Sequence, residues 1–333
     1  MSFSKYNAVI SGVGMYVPET VMDNKYFETI VETNDEWITS RTGIKERRKL
    51  ENGATSDLAT GALKDLMQTS GLKAEDIDVI IVCTITPDMF FPSTACLVQN
   101  NVGAVNAWGF DLSAACSGFL FGLQTGAAFI ESGRYKKVIV IGADKMTAIT
   151  DYRDRNNCIL FGDAGSAILL EASEDQSIGL QDTILHCDGS GKESLYMKGG
   201  GSLNPASHET VDAGMHFLYQ DGKAVFKVAV NGMANVSYEM MQKHNLVADD
   251  IAWLVPHQAN LRIIAATANK MQLTNEKVMV NIDKYGNTTA ATIPLCLTEY
   301  YRNGKLKKGD KLILAAFGAG FTWGSAYLVW SMD

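Results

Sequence analysis

The chain has 333 residues, of which 47% are hydrophobic and 20% are charged. This length allows two domain-sized units of about 100–200 residues each. The composition is that of a globular protein, and it excludes a disordered chain, collagen and a coiled coil. Lysines and arginines number 29 against 37 acidic residues, a net charge of −8. Because a nucleic-acid backbone attracts an excess of cations, this balance disfavours nucleic acid as a partner.

The six cysteines are single and widely spaced, and the five histidines show no H-x-x-x-H spacing. This pattern predicts neither a disulfide framework nor a metal site. The N-terminus has no charged leader followed by an apolar stretch and a cleavage site. We therefore expect a cytoplasmic protein with reduced thiols and no membrane partner.

Short apolar runs rich in β-branched residues alternate with amphipathic stretches along the chain. Strands buried on both faces are predicted at residues 79–86, 138–143, 167–172 and 312–317. Helices that end near a glycine are predicted at residues 57–71 and 117–133. This alternation predicts an α/β fold with parallel strands and crossover connections. The polar, glycine-rich residues 188–214 are the best candidate for a boundary between two halves.

Residues 312–330 form a stretch of 19 residues without a formal charge, about the length of a membrane span. A Gly-Ala-Gly sequence at 318–320 interrupts this stretch. The pattern favours two buried strands joined by a tight glycine turn over a transmembrane helix.

The two halves of the chain resemble each other. Residues 75–84 match residues 249–258, and residues 136–143 match residues 310–317, both at a spacing of 174 residues. Residues 165–172 match residues 324–331 at a spacing of 159. The two equal offsets indicate a duplication. A duplicated α/β unit would place equivalent corners of both halves around a shared cleft.

The segment GFDLSAACSGFLFGL, residues 109–123, places Cys116 at a predicted strand-to-helix corner. The strand is expected to end near Leu112 and the helix to begin near Ser117. Unpaired N–H groups and the macrodipole at a helix N-terminus would favour the thiolate form of Cys116. The alternative is a buried and inert cysteine, which is the usual fate of this residue type.

Three further motifs accompany this cysteine. His257 follows an apolar strand, Asn287 precedes a Thr-Thr-Ala-Ala helix start, and residues 315–326 form a glycine-rich loop. Alone, the histidine would be structural and the asparagine a helix cap. Together they supply a nucleophile, two hydrogen-bond donors and a backbone loop for an oxyanion, which is the equipment of acyl transfer. The residues by themselves leave a cysteine acyltransferase and a cysteine hydrolase open.

At CSGF, PHQANLRII, YGNTTAA and FGAGFTWGS, the chain resembles the beta-ketoacyl-acyl-carrier-protein synthase III family of the thiolase superfamily. The match runs nearly end to end and includes SGVGMYVPE and DEWITSRTGIKERR. Elongating synthases of the superfamily are expected to use Cys-His-His, so Asn287 points to the initiating branch. The resemblance implies a thiolase-like fold with duplicated halves in a layered αβαβα arrangement. Residues 1–175 would carry the cysteine, and residues 176–333 the histidine and asparagine.

The family resemblance implies initiation of type II fatty-acid synthesis by decarboxylative condensation. Cys116 would take the acyl group from a short acyl-CoA, and malonyl-acyl carrier protein would then enter. His257 and Asn287 would stabilise the enolate, while the backbone N–H groups of Cys116 and Ala319 would hold the oxyanion. The products would be 3-oxoacyl-acyl carrier protein, CoA and CO2. Acyl-CoA is a substrate here, and no cofactor is expected.

The resemblance also assigns binding residues. Trp37 and Arg155 would sandwich the adenine of coenzyme A, and Phe91 would reach across a homodimer to close the partner's acyl pocket. The remaining assignments are Thr33, Arg41, Asn260 and Arg262 for coenzyme A, and Lys227, Arg262 and Lys270 for docking the acidic carrier protein. Each lysine taken singly is equally well explained as a solvated surface charge. Some relatives have a second lysine where this chain has Asn269.

Three other functions remain open from the sequence. A thiolase-fold relative could use the same cysteine for a different condensation, such as joining acyl chains of secondary metabolites. A catalytically silent paralogue would act as a binding or scaffold protein, which the intact Cys116, His257 and Asn287 disfavour. A papain-like hydrolase uses the same three residue types, but the repeat and the buried strands disfavour it.

Overall fold

The computed structural model describes residues 5–333, and in this part of the chain thirteen strands and ten α-helices follow one another. The strands are β1 (Asn7–Tyr16), β2 (Thr20–Asp23), β3 (Glu46–Lys49), β4 (Val79–Cys83), β5 (Trp108–Leu112), β6 (Lys137–Asp144), β7 (Ala164–Ser173), β8 (Gly179–Cys187), β9 (Leu195–Tyr196), β10 (Tyr219–Gln220), β11 (Trp253–Pro256), β12 (Lys311–Gly318) and β13 (Thr322–Val329). The helices are α1 (Asn24–Glu28), α2 (Asp35–Thr42), α3 (Thr55–Ser70), α4 (Thr94–Val102), α5 (Gly118–Glu131), α6 (His208–Asp212), α7 (Gly222–Lys243), α8 (Leu261–Lys270), α9 (Ile282–Tyr285) and α10 (Thr292–Arg302).

Two mixed sheets form the centre of the molecule. The first has the strand order β1-β7-β6-β4-β5, and the second has the order β11-β12-β13-β8. Strand β4 is parallel to β5 and β6, and β11 is parallel to β12. The sequence-based prediction of parallel strands is wrong for β7, which runs antiparallel to both of its neighbours. Strand β13 is also antiparallel to both of its neighbours, as the predicted tight turn before it requires. Continuous apolar runs mark a strand as buried on both faces but do not give its direction.

The two sheets repeat one pattern, which confirms the predicted duplication. Val79 pairs with Val138 in the first sheet, and Trp253 pairs with Leu312 in the second, at the offset of 174 residues found in the sequence. An isolated bridge to Leu254 places Val278 beside β11, in the position that β5 holds beside β4. Equivalent strand ends of the two halves are therefore available to build one site.

Helices separate and cover the sheets in five layers. Helices α5 and α10 lie between the two sheets, where Phe119, Leu123 and Ile293 join one buried core with residues of both sheets. Helices α3 and α4 cover the outer face of the first sheet, and α7 and α8 cover the outer face of the second. The layered αβαβα arrangement predicted from the sequence is confirmed.

The chain passes from the first sheet to the second at residues 174–178, between β7 and β8. Residues 188–214, expected as a boundary, instead follow β8 and lie within the second half beside the short β9–β10 pair. Their glycine-rich, polar composition belongs to a loop region within the second half and not to a linker between the halves.

Residues 312–330 form the antiparallel hairpin of β12 and β13, as predicted. In residues 5–333 no helix is long and apolar enough to cross a membrane. All six cysteines lie in this part of the chain, and each is a free thiol.

Candidate active site

A cavity of about 620 Å³ opens where loops from both halves meet. Its lining includes Cys116, His257, Asn287 and Ala319, so the four motifs singled out in the sequence come together at one place. Cys116 is 9% exposed, His257 is 1% exposed and Asn287 is 7% exposed. The reactive groups thus lie at the buried end of the cavity.

The corner that carries Cys116 has the predicted form. Strand β5 ends at Leu112, a 3₁₀ turn spans Ala115–Ser117, and α5 begins at Gly118. Ala115, directly before the cysteine, has a φ of 48°, in the left-handed region that residues with a Cβ rarely adopt. Such strain persists where the surrounding structure imposes it, and it is concentrated at functional sites.

The charge state of Cys116 differs from the sequence-based expectation. Burial raises the pKa of the Cys116 thiol to about 12, and the nearby carboxylate of Asp144 acts in the same direction. The desolvation of the thiolate therefore outweighs the helix N-terminus, which typically contributes 0.3–1 kcal/mol, roughly a unit of pKa or less. The thiol is therefore neutral at physiological pH, and its reaction as a nucleophile would require a group that removes its proton.

Two hydrogen bonds join the β12–β13 turn to the cysteine corner, and a third lies within the turn. The Ser117 hydroxyl donates to the carbonyl of Thr322 at 3.0 Å. The Thr322 hydroxyl donates to the carbonyls of Ala114 at 3.0 Å and Ala319 at 3.1 Å. The backbone of Ala319 is thereby held beside Cys116 on the wall of the cavity.

His257 lies directly after β11, and its main-chain N–H donates to the carbonyl of Ala315 at 2.7 Å. Burial lowers the pKa of the imidazole to about 3, so the ring is neutral at physiological pH. Its Nδ1 lies 2.7 Å from the hydroxyl of Thr292. The same hydroxyl lies 3.0 Å from the carbonyl of Thr289. When it donates to that carbonyl, Nδ1 carries the ring proton and Nε2 presents a lone pair; when it donates to Nδ1, Nε2 carries the proton.

Asn287 is held at both its main chain and its side chain. Its N–H donates to the carbonyl of Leu160 at 2.9 Å, and its carbonyl accepts from Gly162 at 3.1 Å. Its Oδ1 accepts from the N–H of Thr289 at 2.9 Å, which assigns the other end of the amide as Nδ2. Within residues 5–333 no side chain or carbonyl accepts from Nδ2, and the residue lines the cavity. The asparagine is therefore both a turn former and a free donor.

Trp37 lines the cavity and lies beside two of the arginines expected to bind coenzyme A. The guanidinium groups of Arg41 and Arg155 lie 4.8 Å and 4.9 Å from the centre of its ring. Trp37 and Arg155 thus stack directly on each other, and a flat base could enter between them only if Arg155 moved. Arg155 and Thr33 do not line the cavity, and Arg155 Nε and Thr33 Oγ1 are buried without a hydrogen-bond partner in the described structure.

Asn260 organises the mouth of the cavity through hydrogen bonds to protein. Its Oδ1 caps α8 by accepting from the N–H of Arg262 at 2.9 Å, and its Nδ2 donates to the carbonyl of Arg41 at 2.9 Å. The guanidinium groups of both arginines line the cavity at exposed positions. Asn260 therefore sets the spacing of two cations suited to phosphate groups.

The residues expected to dock the carrier protein lie on α7 and α8, which pack side by side. Lys227, Arg262 and Lys270 are all exposed, and only Arg262 lines the cavity. Phe91 is 84% exposed and does not line the cavity of its own chain. Its placement is compatible with a role in a neighbouring subunit.

Some lining residues were not predicted from the sequence. The segment 218–223 forms part of the wall, and apolar side chains near the cysteine include Ile85, Met146 and Phe161. Gln258 was quoted only as part of a motif, but its side chain donates to the carbonyls of Pro256 at 2.8 Å and Met279 at 3.1 Å. Only Gln258 lies within one of the motifs, and no pattern in the sequence marks the others.

Comparison with known proteins shows which protein family this chain resembles. The family model described as 3-oxoacyl-[acyl-carrier-protein (ACP)] synthase III matches residues 110–189, and the model of its C terminal matches residues 241–330. Beta-ketoacyl-[acyl-carrier-protein] synthase III from Chlorobaculum tepidum is 59% identical over 326 residues, which cover 97% of this chain and 99% of the relative. The crystal structure of 3-oxoacyl-[acyl-carrier-protein] synthase III from Aquifex aeolicus is 42% identical, with a TM-score of 0.89 over 97% of this chain and 100% of the other.

Fold and site together define a thiolase-fold enzyme that transfers an acyl group in a condensation. The identity extends over nearly the whole length of both chains, and the motifs around Cys116, His257 and Asn287 come together in one cavity. The chain belongs to the beta-ketoacyl-[acyl-carrier-protein] synthase III family, as its sequence motifs predicted.

Proposed function

We propose that this enzyme initiates fatty-acid synthesis by condensing a short acyl-CoA with malonyl-acyl carrier protein, through an acyl-cysteine intermediate and with release of CO2. The observation that carries the proposal is the convergence of Cys116, His257 and Asn287 at the buried end of one cavity whose mouth is lined by Trp37 and cationic side chains. The reaction divides into two half-reactions with different demands on these residues.

In the first half-reaction, Cys116 attacks the thioester carbonyl of acyl-CoA. Because the thiol is neutral, a base must take its proton, and the neutral ring of His257 is available for this with a lone pair at Nε2. The Sγ–carbon bond forms, the bond from carbon to the CoA sulfur breaks, and the departing CoA sulfur takes up the proton. The N–H groups of Cys116 and Ala319 stabilise the intervening oxyanion.

In the second half-reaction, the malonyl thioester loses its carboxylate as CO2. The two electrons of the broken carbon–carbon bond form an enolate, whose oxygen accepts hydrogen bonds from Nδ2 of Asn287 and from Nε2–H of His257. The enolate carbon attacks the acyl carbon on Cys116, the bond from that carbon to Sγ breaks, and the departing thiolate takes up a proton from solvent. Removing one donor of this kind typically costs about 10²–10³ in rate.

In this proposal the two substrates are recognised at neighbouring surfaces that share Arg262. Trp37 and Arg155 hold the adenine, Arg41 and Arg262 contact phosphate groups, and Asn260 lies along the pantetheine path. Lys227, Arg262 and Lys270 attract the acidic carrier protein. In a homodimer, Phe91 closes the acyl pocket of the partner. We propose no cofactor beyond the two substrates, and a cytoplasmic location.

A second candidate is the priming condensation of a polyketide pathway. The priming beta-ketosynthase from the R1128 polyketide biosynthetic pathway is 30% identical, with a TM-score of 0.91 over 99% of this chain and 98% of the other. The chemistry at Cys116 would be the same, and the carrier protein that accepts the acyl group would differ. Comparing discharge of the acyl-enzyme by malonyl groups on fatty-acid and polyketide carrier proteins separates the two.

The division of roles is tested by measuring each half-reaction in Asn287→Ala. Mass spectrometry of the intact protein follows acyl-enzyme formation, and release of CO2 from malonyl-acyl carrier protein follows decarboxylation. We expect the variant to keep acylation and to lose decarboxylation by about 10²–10³. Asn303→Ala is the matched control, since Asn303 is exposed at the end of α10, away from the cavity. Acylation blocked with decarboxylation spared would contradict the assignment.

A further inference from the structure

Asp144 is a fully buried carboxylate at the end of β6, and the two half-reactions leave it without a role. Its Oδ1 accepts from the hydroxyls of Thr84 and Thr86, both at 2.9 Å, and from the N–H of Ile85 at 2.8 Å and of Thr86 at 3.2 Å. Its Oδ2 accepts from the hydroxyl of Thr289 and, at 3.5 Å, from the N–H of Ala290. One carboxylate thus ties the segment after β4 to the loop that carries Asn287.

No lysine, arginine or histidine in residues 5–333 forms an ion pair with Asp144. Burial raises its pKa, while hydrogen bonds from Thr289, Ile85, Thr86 and Thr84 lower it. An unpaired buried carboxylate is costly for a fold, and it is tolerated where hydrogen bonds satisfy it. A feature with this cost needs a local reason.

The reason lies in the conformation of Thr289. This β-branched residue has a φ of 50°, in the left-handed region that such residues strongly disfavour. In that conformation its N–H donates to Oδ1 of Asn287, the bond that leaves Nδ2 facing the cavity. The Thr289 hydroxyl bound to Asp144 holds the strained residue in place.

We propose that Asp144 is a positioning residue for the decarboxylation half-reaction: through Thr289, its carboxylate orients the amide of Asn287 toward the substrate. Asp144 does not touch the reacting atoms in this proposal. Its effect passes through two hydrogen bonds, from the Thr289 hydroxyl to Asp144 Oδ2 and from the Thr289 N–H to Asn287 Oδ1. The acylation half-reaction uses none of these bonds.

This inference rests on the proposed role of Asn287. The test therefore measures acyl-enzyme formation and malonyl decarboxylation in Thr289→Val, Thr289→Ser, Asp144→Asn and Asn287→Ala. A displaced catalytic group lowers a rate by up to about 10²-fold. We expect Thr289→Val to lose about 10- to 100-fold in decarboxylation with acylation nearly unchanged, and Thr289→Ser to keep the rate of the unmodified enzyme. Asp144→Asn should lose decarboxylation to the same extent, and its acylation should not fall, because the variant removes a charge that raises the pKa of the Cys116 thiol.

Thr86→Val is the matched control. It removes a hydroxyl from the other oxygen of the same carboxylate, and Thr86 has no bond to the Asn287 loop. We expect its decarboxylation rate to stay near that of the unmodified enzyme. If Thr86→Val and Thr289→Val lowered both half-reactions alike, general loosening would explain the effect and the positioning role would be overturned.

A double variant separates positioning from an independent effect. In the Asn287→Ala background, Thr289→Val has no amide left to orient, so we expect it to change decarboxylation by less than about twofold. A full additional loss in that background would overturn the inference while leaving the proposed function intact. Unimpaired decarboxylation in Asn287→Ala alone would overturn the role of Asn287, and the inference with it.

Discussion

The main chain of Gly318 lies against the amide nitrogen of Cys116. A Cβ at position 318 would stand 2.7 Å from that nitrogen and 3.2 Å from the Cβ of Cys116. Backbone contacts this close cannot be accommodated without a shift, so Gly318→Ala should push the Ala319 N–H away from the oxyanion position. We expect acyl-enzyme formation to fall by about 10²–10³, measured by intact-protein mass spectrometry over time.

Gly189→Ala is the control for that substitution, because a Cβ there meets nothing within 4 Å. An acylation rate in Gly318→Ala equal to that of the control would mean that the turn takes no part in binding the oxyanion.

Burial of His257 makes the stability of the fold depend on pH. The folded-state pKa is lowered to about 3, whereas an unfolded histidine titrates near 6.5. Below pH 6.5 the unfolded chain therefore binds a proton that the folded chain does not. The contribution of His257 to the free energy of unfolding is fully present above pH 6.5. It is lost as the pH falls toward 3, by at most about 1.4 kcal/mol per pH unit.

Urea unfolding of the unmodified protein and of His257→Gln between pH 4 and 7 measures this contribution. The difference in unfolding free energy between the two proteins should narrow as the pH falls. A difference that stayed constant over this range would show that the imidazole is not held neutral by burial.

Trp37 should contribute to binding of acyl-CoA and not to the reaction of malonyl-acyl carrier protein. Replacing it with alanine removes the ring proposed to stack on the adenine, and since stacking of a base on an aromatic ring contributes about 1–3 kcal/mol, KM for acyl-CoA should rise about tenfold. Decarboxylation of malonyl-acyl carrier protein should not change. With acyl-pantetheine, which lacks the nucleotide, Trp37→Ala and the unmodified enzyme should have equal KM values. An equal rise in KM for both acyl donors would place the effect of Trp37 elsewhere.

The exposed cations on α7 and α8 should determine how tightly the enzyme binds malonyl-acyl carrier protein. Charge reversal at Lys227 or Lys270 should raise KM for malonyl-acyl carrier protein, most strongly at low ionic strength, because salt screens exposed charges beyond about 10 Å at 0.1 M. Formation of the acyl-enzyme from acyl-CoA should not change. Lys64→Glu on α3, over the other sheet, is the control. Equal effects of all three reversals would mean that net charge, and not this surface, attracts the carrier.

The sequence predicted the parts of the fold that follow from local pattern and repetition. Apolar runs located the central strands, and the 174-residue offset gave the correspondence of β4 with β11 and of β6 with β12. The direction of β7 was predicted wrongly, because strand direction depends on how the chain returns to the sheet.

The sequence predicted the motifs of the site but not the residues that surround and hold them. The motifs identified Cys116, His257 and Asn287, which share the cavity. The neutral state of the thiol was not predicted, because desolvation depends on everything packed around the sulfur. Asp144 was missed for a related reason: its partners at residues 84–86 and 289 are far away in the chain.

The acyl-cysteine intermediate is most directly tested by intact-protein mass spectrometry after mixing the enzyme with individual acyl-CoAs. We predict a mass increase equal to one acyl group, its absence in Cys116→Ala, and its discharge as 3-oxoacyl-acyl carrier protein when malonyl-acyl carrier protein is added. No adduct with any acyl-CoA, or an adduct that persists in Cys116→Ala, would contradict this mechanism.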